Sequence, residues 1–328
     1  MDYDKPIKSE KLTELQNMSL DDKVSLSLDI IRDFGENHAF FGTENEIKTH
    51  ISSSFGKDSL TTIHLVRQIY PDVPIAFFDS GVEQPSTVAM SKTFDNVITI
   101  KPKKSMEEVI EEYGYMIPIG KERADAIEAT RRNLYEGKFN TSRVKKMRGD
   151  YGERSFFNFS KYQYALLAPF KISAKCDKYL KIEPANRLKK EGYEYTFTGT
   201  TAEESRMRRN NLIKLGFITK DQCRPIGHWT EQDVLEYILR ENIKLPECYG
   251  DIVRDEKTGK LSTTKFTRTG CICCPVGAQY NKPNDFQRMY MYDKDSWDYV
   301  INGLGFGQVL DFFEIPYHDY EEDNSEDT

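Results

Sequence analysis

The alternation of strand-like and helix-like segments between residues 45 and 115 is the feature that most restricts the fold of this 328-residue chain. Three segments have the composition of strands, and a helical segment follows each: "EIKTHIS" with "KDSLTTIHLVRQIY", "VPIAFFDSG" with "PSTVAMSKTF", and "NVITI" with "SMEEVIEEYGY". An uninterrupted apolar run such as "VPIAFF" is typical of a parallel strand buried on both faces. The alternation predicts right-handed βαβ units and an α/β fold with a doubly wound parallel sheet.

Composition and local patterns divide the rest of the chain into predicted regions. Residues 1–44 form an N-terminal helical extension, and 45–215 form the sheet domain, with a basic, aromatic, helical insert at 121–170. Residues 216–317 form a mixed C-terminal region that carries a cysteine cluster. Residues 318–328 are acidic and contain no aliphatic residue, so we expect this tail to be disordered.

Three later segments carry specific structural signals. "TTAEESRMRRNNLIKLG" predicts a helix that begins near Thr200. "TEQDVLEYILREN" predicts a helix with Thr230 as N-cap, and Asp233 stands in the position of a capping box. "DIVRDEKTGKLSTTKF" predicts a hairpin that turns around residues 258–259.

The corner "SSSFGKDS", residues 52–59, combines small polar residues, a glycine and a lysine where a strand passes into a helix. Doubly wound sheets bind ligands at the carboxyl ends of their strands, and the amides at a helix N-terminus attract phosphate. Lys57 adds a positive charge. Asp58 would repel a bare anion, but it fits a Mg²⁺ ion that lies between its carboxylate and the phosphates. The sequence therefore predicts a phosphate site here, and the spacing is not that of a Walker A loop.

Five segments in order resemble a known superfamily. "SFGKDS" resembles the S-G-G-K-D-S pyrophosphate loop (PP-loop) of the N-type ATP pyrophosphatases and the sulfonucleotide reductases. The further resembling segments, between residues 45 and 315, are "FFDSGVEQPST", "TGTTAEESRMRR", "PIGHWTEQDVLEYILRENIKLPECYGD" and "RTGCICCPVG". The chain thus resembles the phosphoadenosine phosphosulfate (PAPS) reductase-like family of the adenine nucleotide α-hydrolase-like superfamily.

The resemblance implies a set of site residues. Lys57, Asp58 and Arg206 are the catalytic candidates, and Asp58 is also the candidate ligand of Mg²⁺. The nucleotide-binding candidates are Ser52, Ser53, Ser54, Phe55, Gly56, Lys57, Asp58, Ser59, Asp79, Ser80, Gly81, Gly199, Glu204 and Arg209. Arg206 and Arg209 could bind phosphate or an anionic substrate through their guanidinium groups. The alternative for both arginines is a solvated basic helix face.

The Lys57–Asp58 pair favours ATP with Mg²⁺ over PAPS, because sulfonucleotide reductases commonly lack this pair and have no pyrophosphate to release. Those reductases also use a cysteine near the C-terminus, whereas the last cysteine here is Cys274. We therefore expect an ATP pyrophosphatase that adenylylates a substrate for sulfur transfer, with adenine nucleotide and a sulfur-donor protein as partners. A sulfonucleotide reductase and a non-catalytic nucleotide-binding module of a larger complex are the alternatives.

The cysteines suggest a metal centre. Cys271 and Cys274 have the spacing of two ligands of one metal, and Cys273 lies between them. Cys176 matches the upstream ligand of family members that carry an iron–sulfur cluster. These four cysteines predict a [4Fe–4S] cluster, with structural zinc or ordinary reduced thiols as alternatives.

Charge distribution bears on partners and location. The chain has a net charge of −7, yet residues 121–161 contain 11 basic and six acidic residues, interleaved with aromatic ones. This combination is found in sites for single-stranded nucleic acid, and the alternative is a helical lid with buried rings. No segment has the ~18 apolar residues of a membrane span, and the N-terminal residues lack the apolar segment of a signal peptide, so we expect a cytoplasmic protein. The sequence leaves the oligomeric state open, with a homodimer as one arrangement.

Overall fold

A computed structural model describes residues 2–320 of the chain. These residues divide into two compact units. The sheet unit comprises residues 2–79, 83–101 and 184–270, and the insert unit comprises residues 80–82, 102–183 and 271–320. The division differs from the predicted linear regions, because residues 2–44 and 216–270 belong with the sheet and the basic insert belongs with the cysteine segment. Residues 321–328 of the predicted acidic tail lie outside the described residues.

The strands of the described residues fall in two sheets. In chain order they are β1 (Thr49–Ser53), β2 (Ile75–Phe78), β3 (Val97–Ile100), β4 (Tyr195–Thr198), β5 (Gln222–Cys223), β6 (Ile252–Arg254) and β7 (Leu261–Thr263). The larger sheet has the order β3-β2-β1-β4-β5, and every neighbouring pair is parallel. The predicted α/β fold with a doubly wound parallel sheet is confirmed. Strands β6 and β7 form the predicted antiparallel hairpin.

The described residues also form α-helices, which are distributed over both units. They are α1 (Ser9–Gln16), α2 (Leu20–Asn37), α3 (Lys57–Ile69), α4 (Pro85–Ser91), α5 (Met106–Tyr113), α6 (Lys121–Tyr135), α7 (Ser142–Arg148), α8 (Lys175–Asp177), α9 (Glu183–Lys190), α10 (Arg206–Leu215), α11 (Glu231–Arg240), α12 (Asp285–Tyr292), α13 (Lys294–Asp298) and α14 (Gly307–Phe312). Ser160–Leu167, Glu247–Tyr249 and Ala278–Tyr280 are 3₁₀ helices, and Lys178–Ile182 and Tyr299–Gly303 are π-helical turns. None of the helices within residues 2–320 combines the length and the apolar character that crossing a bilayer would require.

The core of the sheet unit lies where α2, α3 and α11 pack together and against the sheet. The helices contribute fully buried apolar side chains: Ile30, Ile31 and Phe34 from α2, Leu60, Ile63, Leu65 and Val66 from α3, and Val234, Leu235 and Ile238 from α11. A buried ion pair joins two of these helices, since Lys23 Nζ on α2 lies 2.6 Å from Asp233 Oδ2 on α11. These helices hold β1 in the middle of the sheet, where its end positions the residues that follow.

The starts of α11 and α10 can be compared with the starts that the sequence predicts. The capping box at the start of α11 is confirmed, because the Thr230 side chain accepts the Asp233 amide and the Asp233 side chain accepts the Thr230 amide. The predicted start of α10 near Thr200 is wrong, since the helix begins at Arg206. Ser205 adopts extended backbone angles and its hydroxyl accepts the Arg208 amide, so this side chain ends the preceding loop and caps the helix.

The insert unit contains the basic segment and all the cysteines of the predicted cluster. Its helices α6 and α7 pack on each other and on the 3₁₀ helix Ser160–Leu167. The guanidinium group of Arg131 on α6 donates to four backbone carbonyls, those of Ala165, Leu166, Ala168 and Phe170. This one side chain therefore fixes the end of the basic segment to α6.

Candidate active site

The loop between β1 and α3 has the geometry of an anion-binding corner. β1 lies between β2 and β4, where the strand order reverses, and this position is where doubly wound sheets bind ligands. The loop is held by its own serines: Ser53 Oγ accepts the Phe55 amide at 2.9 Å, and Ser59 Oγ donates to the Gly56 carbonyl at 3.0 Å. Ser54 Oγ lies 3.5 Å from Ser59 Oγ. The predicted phosphate loop is thus a compact turn at the N-terminus of α3.

The buried side chain of Phe55 fixes this turn to the core of the sheet unit. Its φ is 55°, a left-handed conformation that side chains other than glycine rarely adopt. The ring is fully buried, and its centroid lies 5.3 Å from that of Phe77 and 5.3 Å from that of Phe94. Burial of a large aromatic ring offsets the cost of the backbone conformation. The second glycine of the S-G-G-K-D-S pattern follows as Gly56, and Phe55 replaces the first.

Two glycines of the site have no room for a side chain. A Cβ atom on Gly56 would lie 2.4 Å from Thr269 Oγ1 and 3.0 Å from the Tyr249 hydroxyl. That hydroxyl accepts the Lys57 amide at 3.1 Å and lies 3.3 Å from Thr269 Oγ1. A Cβ atom on Gly199 would lie 2.6 Å from the Asp58 carbonyl oxygen. The segments around Tyr249 and Gly199 therefore pack directly against the loop and the first turn of α3.

Lys57 places a buried positive charge at this turn. Its side chain is 3% exposed, and its Nζ lies 3.3 Å from Asp58 Oδ2 and 3.3 Å from Glu231 Oε1. Glu231 is the first residue of α11, and its side chain is 47% exposed. The ammonium group is thus held by two carboxylates at the edge of the site, where an anionic ligand could take the place of the more exposed one.

Glu204 brings another carboxylate toward Asp58. Burial raises the pKa of Glu204, the adjacent Arg208 opposes this rise, and the charge of Asp58 adds to it. Arg208 forms an ion pair with Glu204, and Arg268 also acts on it electrostatically. Like charges that lie near each other are suited to a divalent cation between them, and Mg²⁺ prefers such oxygen ligands.

The remaining predicted residues lie in different surroundings. Ser52 is on β1, and the Asp79 carboxylate lies 3.8 Å from Lys101 Nζ in the sheet unit. Ser80 and Gly81 belong to the insert unit, where Ser80 Oγ accepts the Val82 amide at 3.4 Å.

Arg206 and Arg209, the two arginines of α10 that the sequence predicts for the site, make no contact with Lys57 in the structure of residues 2–320. Arg206 is exposed and forms no ion pair within residues 2–320. The guanidinium group of Arg209 donates to Gln16 Oε1 at 3.0 Å and reaches the hydroxyls of Ser9 and Thr13 on α1, and its role in nucleotide binding stays a prediction. Adjacent residues of a helix point about 100° apart, so Arg208 turns toward Glu204 while Arg209 turns toward α1.

Comparison with known protein families identifies the chain. The model of the phosphoadenosine phosphosulfate reductase domain matches residues 48–118 and 121–277. The chain belongs to the PAPS reductase domain family. Membership supports a function of the sulfonucleotide reductase type, in the metabolism of sulfur-containing nucleotides, and it agrees with a nucleotide ligand.

Among solved structures, a phosphoadenylyl-sulfate (PAPS) reductase from Candida auris, determined as a phosphate complex, is 16% identical to this chain. The match covers 74% of this chain and 90% of that one, with a TM-score of 0.39, which is too low to support any argument about the site. Comparison with curated protein sequences gave no match.

The family match includes residues that the sequence analysis did not assign. Tyr249, Glu231, Thr269 and Arg268 all contact or act on the loop or its acidic neighbours. All four fall within the segments that resemble the family, residues 225–251 and 268–277, so the resemblance was the sequence feature that could have indicated them. Nothing in the local sequence indicates that Tyr249 contacts a loop 192 residues earlier.

The four clustered cysteines of this PAPS reductase family member lie in the insert unit. Burial, with the charge of Cys274, raises the pKa of Cys176 to about 11. Burial raises the pKa of Cys273 as well, and Cys271, Cys274 and Cys176 add to this rise. The thiols of Cys176, Cys271 and Cys274 therefore all act electrostatically on that of Cys273. Within residues 2–320, however, no group of three or more His, Cys, Asp or Glu side chains is arranged to hold a metal ion.

Proposed function

We propose that this family member is an ATP pyrophosphatase that transfers AMP to an acceptor. A nucleophile of the acceptor attacks the α-phosphorus of ATP, the bond from that phosphorus to the bridging oxygen breaks, and pyrophosphate leaves. The observation that carries the proposal is the Lys57–Asp58 pair at the first turn of α3. A buried ammonium beside a carboxylate suits a nucleotide that brings both a pyrophosphate group and a cation.

The residues of the loop have separate tasks in this reaction. Amides at the start of α3 bind phosphate oxygens, and Lys57 Nζ stabilises the charge that develops on the leaving pyrophosphate. Arg208 pairs with the carboxylate of Glu204, and Arg268 acts on it electrostatically. Arg206, which is exposed, is available to the phosphates or to an anionic acceptor. Asp58 and Glu204 would hold Mg²⁺, with phosphate oxygens as further ligands, and this ion would neutralise charge on the phosphates.

PAPS reduction is the second candidate, because the chain belongs to the PAPS reductase domain family. A non-catalytic nucleotide-binding module is the third. The three functions differ in what they bind and release. A reductase binds PAPS and has no need of Mg²⁺·ATP, whereas a binding module takes up nucleotide without turnover.

Calorimetry with ATP in the presence of Mg²⁺, and separately with PAPS, should show that the protein prefers ATP. With water as acceptor, the same protein should convert ATP to AMP and pyrophosphate in equal amounts. Binding of PAPS without binding of ATP would overturn the proposal in favour of the reductase. Binding of ATP with no pyrophosphate release, at any acceptor tested, would favour the binding module.

We further propose that Cys176, Cys271, Cys273 and Cys274 hold a [4Fe–4S] cluster, with zinc as the alternative. Support comes from the Cys271-x-x-Cys274 spacing and from the shared location of the four thiols in one unit. Thiolates are the ligands of such clusters, so loading would release protons from these groups. If these four cysteines held a cluster, it would supply an iron at which sulfide for the adenylylated acceptor can bind.

Anaerobic purification should yield a brown protein with about four iron and four sulfide per chain, as a [4Fe–4S] cluster requires. Cys176→Ser should lower both contents, whereas Cys248→Ser, which changes a cysteine of the sheet unit, should leave them unchanged. A colourless protein with one zinc per chain would contradict the cluster. The cytoplasmic location and the homodimer stay predictions from the sequence.

A further inference from the structure

The basic aromatic insert, residues 121–161, presents its rings to solvent. Tyr135 is 94% exposed, Phe156 is 70% exposed and Phe139 is 57% exposed. Tyr151 and Phe157 are also exposed, whereas Phe159 is buried. A helical lid with buried rings, the alternative considered from the sequence, does not describe this arrangement. Exposed rings that cluster in one segment indicate a binding surface rather than a core.

The rings stand on a structured platform. The side chain of Thr141 caps α7 by accepting the Val144 amide, and Val144 and Met147 are buried beneath the helix. Beyond α7, the Phe159 amide donates to the Lys146 carbonyl at 2.9 Å. The exposed rings also meet one another: the centroids of Phe156 and Phe157 are 5.7 Å apart, and those of Tyr151 and Phe157 are 6.1 Å apart. Tyr151, Phe156 and Phe157 therefore form a packed cluster before any partner binds.

Cationic groups lie among these rings. Lys146 Nζ is 4.5 Å from the centre of the Phe157 ring and 5.2 Å from that of Phe159. The insert has 11 basic and six acidic residues, so its positive charges outnumber its negative charges. Arg143 and Arg154 form no ion pair in the described part of the chain. In a protein whose net charge is −7, this surplus is local.

We propose that the surface formed by Tyr135, Phe139, Tyr151, Phe156 and Phe157, with the cations around it, binds single-stranded nucleic acid. Exposed rings stack on unpaired bases, and cations between them contact the phosphates, which is the chemistry of single-strand binding. In a duplex the bases are stacked on one another, so their faces are not accessible to aromatic side chains. A second copy of this chain is disfavoured, because a symmetric contact would place two positive surfaces against each other.

Fluorescence anisotropy tests the proposal with three labelled probes: a 20-mer of thymidine, a 20-mer of uridine and a duplex of 20 base pairs. At ~50 mM salt we expect both single strands to bind more tightly than the duplex, and binding should weaken steeply toward ~200 mM salt. The two single strands distinguish DNA from RNA. Absence of binding to both at ~50 mM salt, or equal binding of the duplex, would overturn the proposal.

Substitutions of the exposed rings test whether these rings carry the binding. The double variant Phe156→Ala/Phe157→Ala should weaken single-strand binding about tenfold or more, since stacking on one ring contributes ~1–3 kcal/mol. Tyr280→Ala removes an 80% exposed ring of the same unit outside the insert and should change nothing. Arg143→Gln/Arg154→Gln should weaken binding and reduce its salt dependence.

Two further results would contradict the assignment. One is unchanged single-strand binding by Phe156→Ala/Phe157→Ala. The other is self-association, measured by light scattering, that this variant abolishes in a protein that binds no oligonucleotide. The assay contains no ATP, so it gives its answer whether or not the ATP pyrophosphatase proposal holds.

Discussion

Replacing Lys57 by methionine is expected to reduce the release of pyrophosphate from ATP by at least two orders of magnitude. Preorganised groups that stabilise developing charge typically contribute factors of about 10²–10³ to the rate. The Lys57 side chain is 3% exposed, and its ammonium group is the cation that lies 3.3 Å from both Asp58 and Glu231. Methionine keeps much of the volume but leaves two carboxylates facing an anionic ligand. The measurement is the rate of AMP and pyrophosphate formation, with the Kd for ATP from calorimetry.

The matched control is Lys11→Met, which removes a lysine that is 45% exposed and pairs with Glu14 on α1 of the same unit. This variant should keep the activity of the parent protein. A thermal unfolding curve of each variant separates loss of chemistry from loss of fold. Pyrophosphate release by a folded Lys57→Met variant at the parent rate would remove Lys57 from the mechanism and with it the main support for an ATP pyrophosphatase.

The sequence predicted the local part of this site well. The strand that ends at Ser53, the turn and the helix that starts at Lys57 are consecutive, so residue types within ten positions determine them. The capping box of Thr230 and Asp233 is equally local and was predicted correctly. Local hydrogen bonding and side-chain size are enough to specify such features.

Parts of the site that depend on distant packing were not predictable. Tyr249 accepts the Lys57 amide across 192 positions of sequence, and no pattern near either residue indicates this contact. The choice between Arg208 and Arg209 depends on where α10 begins, because each step along a helix turns the side chain by about 100°. The predicted start at Thr200 missed the Ser205 cap, so the sequence could not show which arginine faces Glu204.

The same limit applies to the division of the chain. Residues 1–44 were predicted to be an N-terminal helical extension, and α2 within this range contributes Phe34 and Ile31 to the core of the sheet unit. The ion pair between Lys23 and Asp233 shows why, since its two residues are 210 positions apart. Asp233 was recognised from the sequence for its local cap, while its partner on α2 was not.

Replacing Asp233 by alanine is expected to destabilise the sheet unit by about 3–5 kcal/mol, because loss of one partner leaves a buried charge uncompensated. The side chain of Lys23 is 2% exposed, and its ammonium group also donates to the Gln16 carbonyl at 2.7 Å. Alanine also removes the capping box, which contributes about 1 kcal/mol of that loss. Urea unfolding followed by Trp229 fluorescence in a Trp297→Phe background reports on the sheet unit alone.

The ion pair between Asp21 and Arg240 provides the control, since it joins the same two helices at 2.7 Å but Asp21 is 89% exposed. Asp21→Ala should cost at most about 1 kcal/mol, as exposed pairs do. Adding Lys23→Met to Asp233→Ala should recover part of the lost stability, because the unpaired ammonium is then gone and only the cap is missing. If the double variant is as unstable as the sum of the single ones, the buried charge is not the cause, and the loss belongs to the cap and to the packing of α2 against α11.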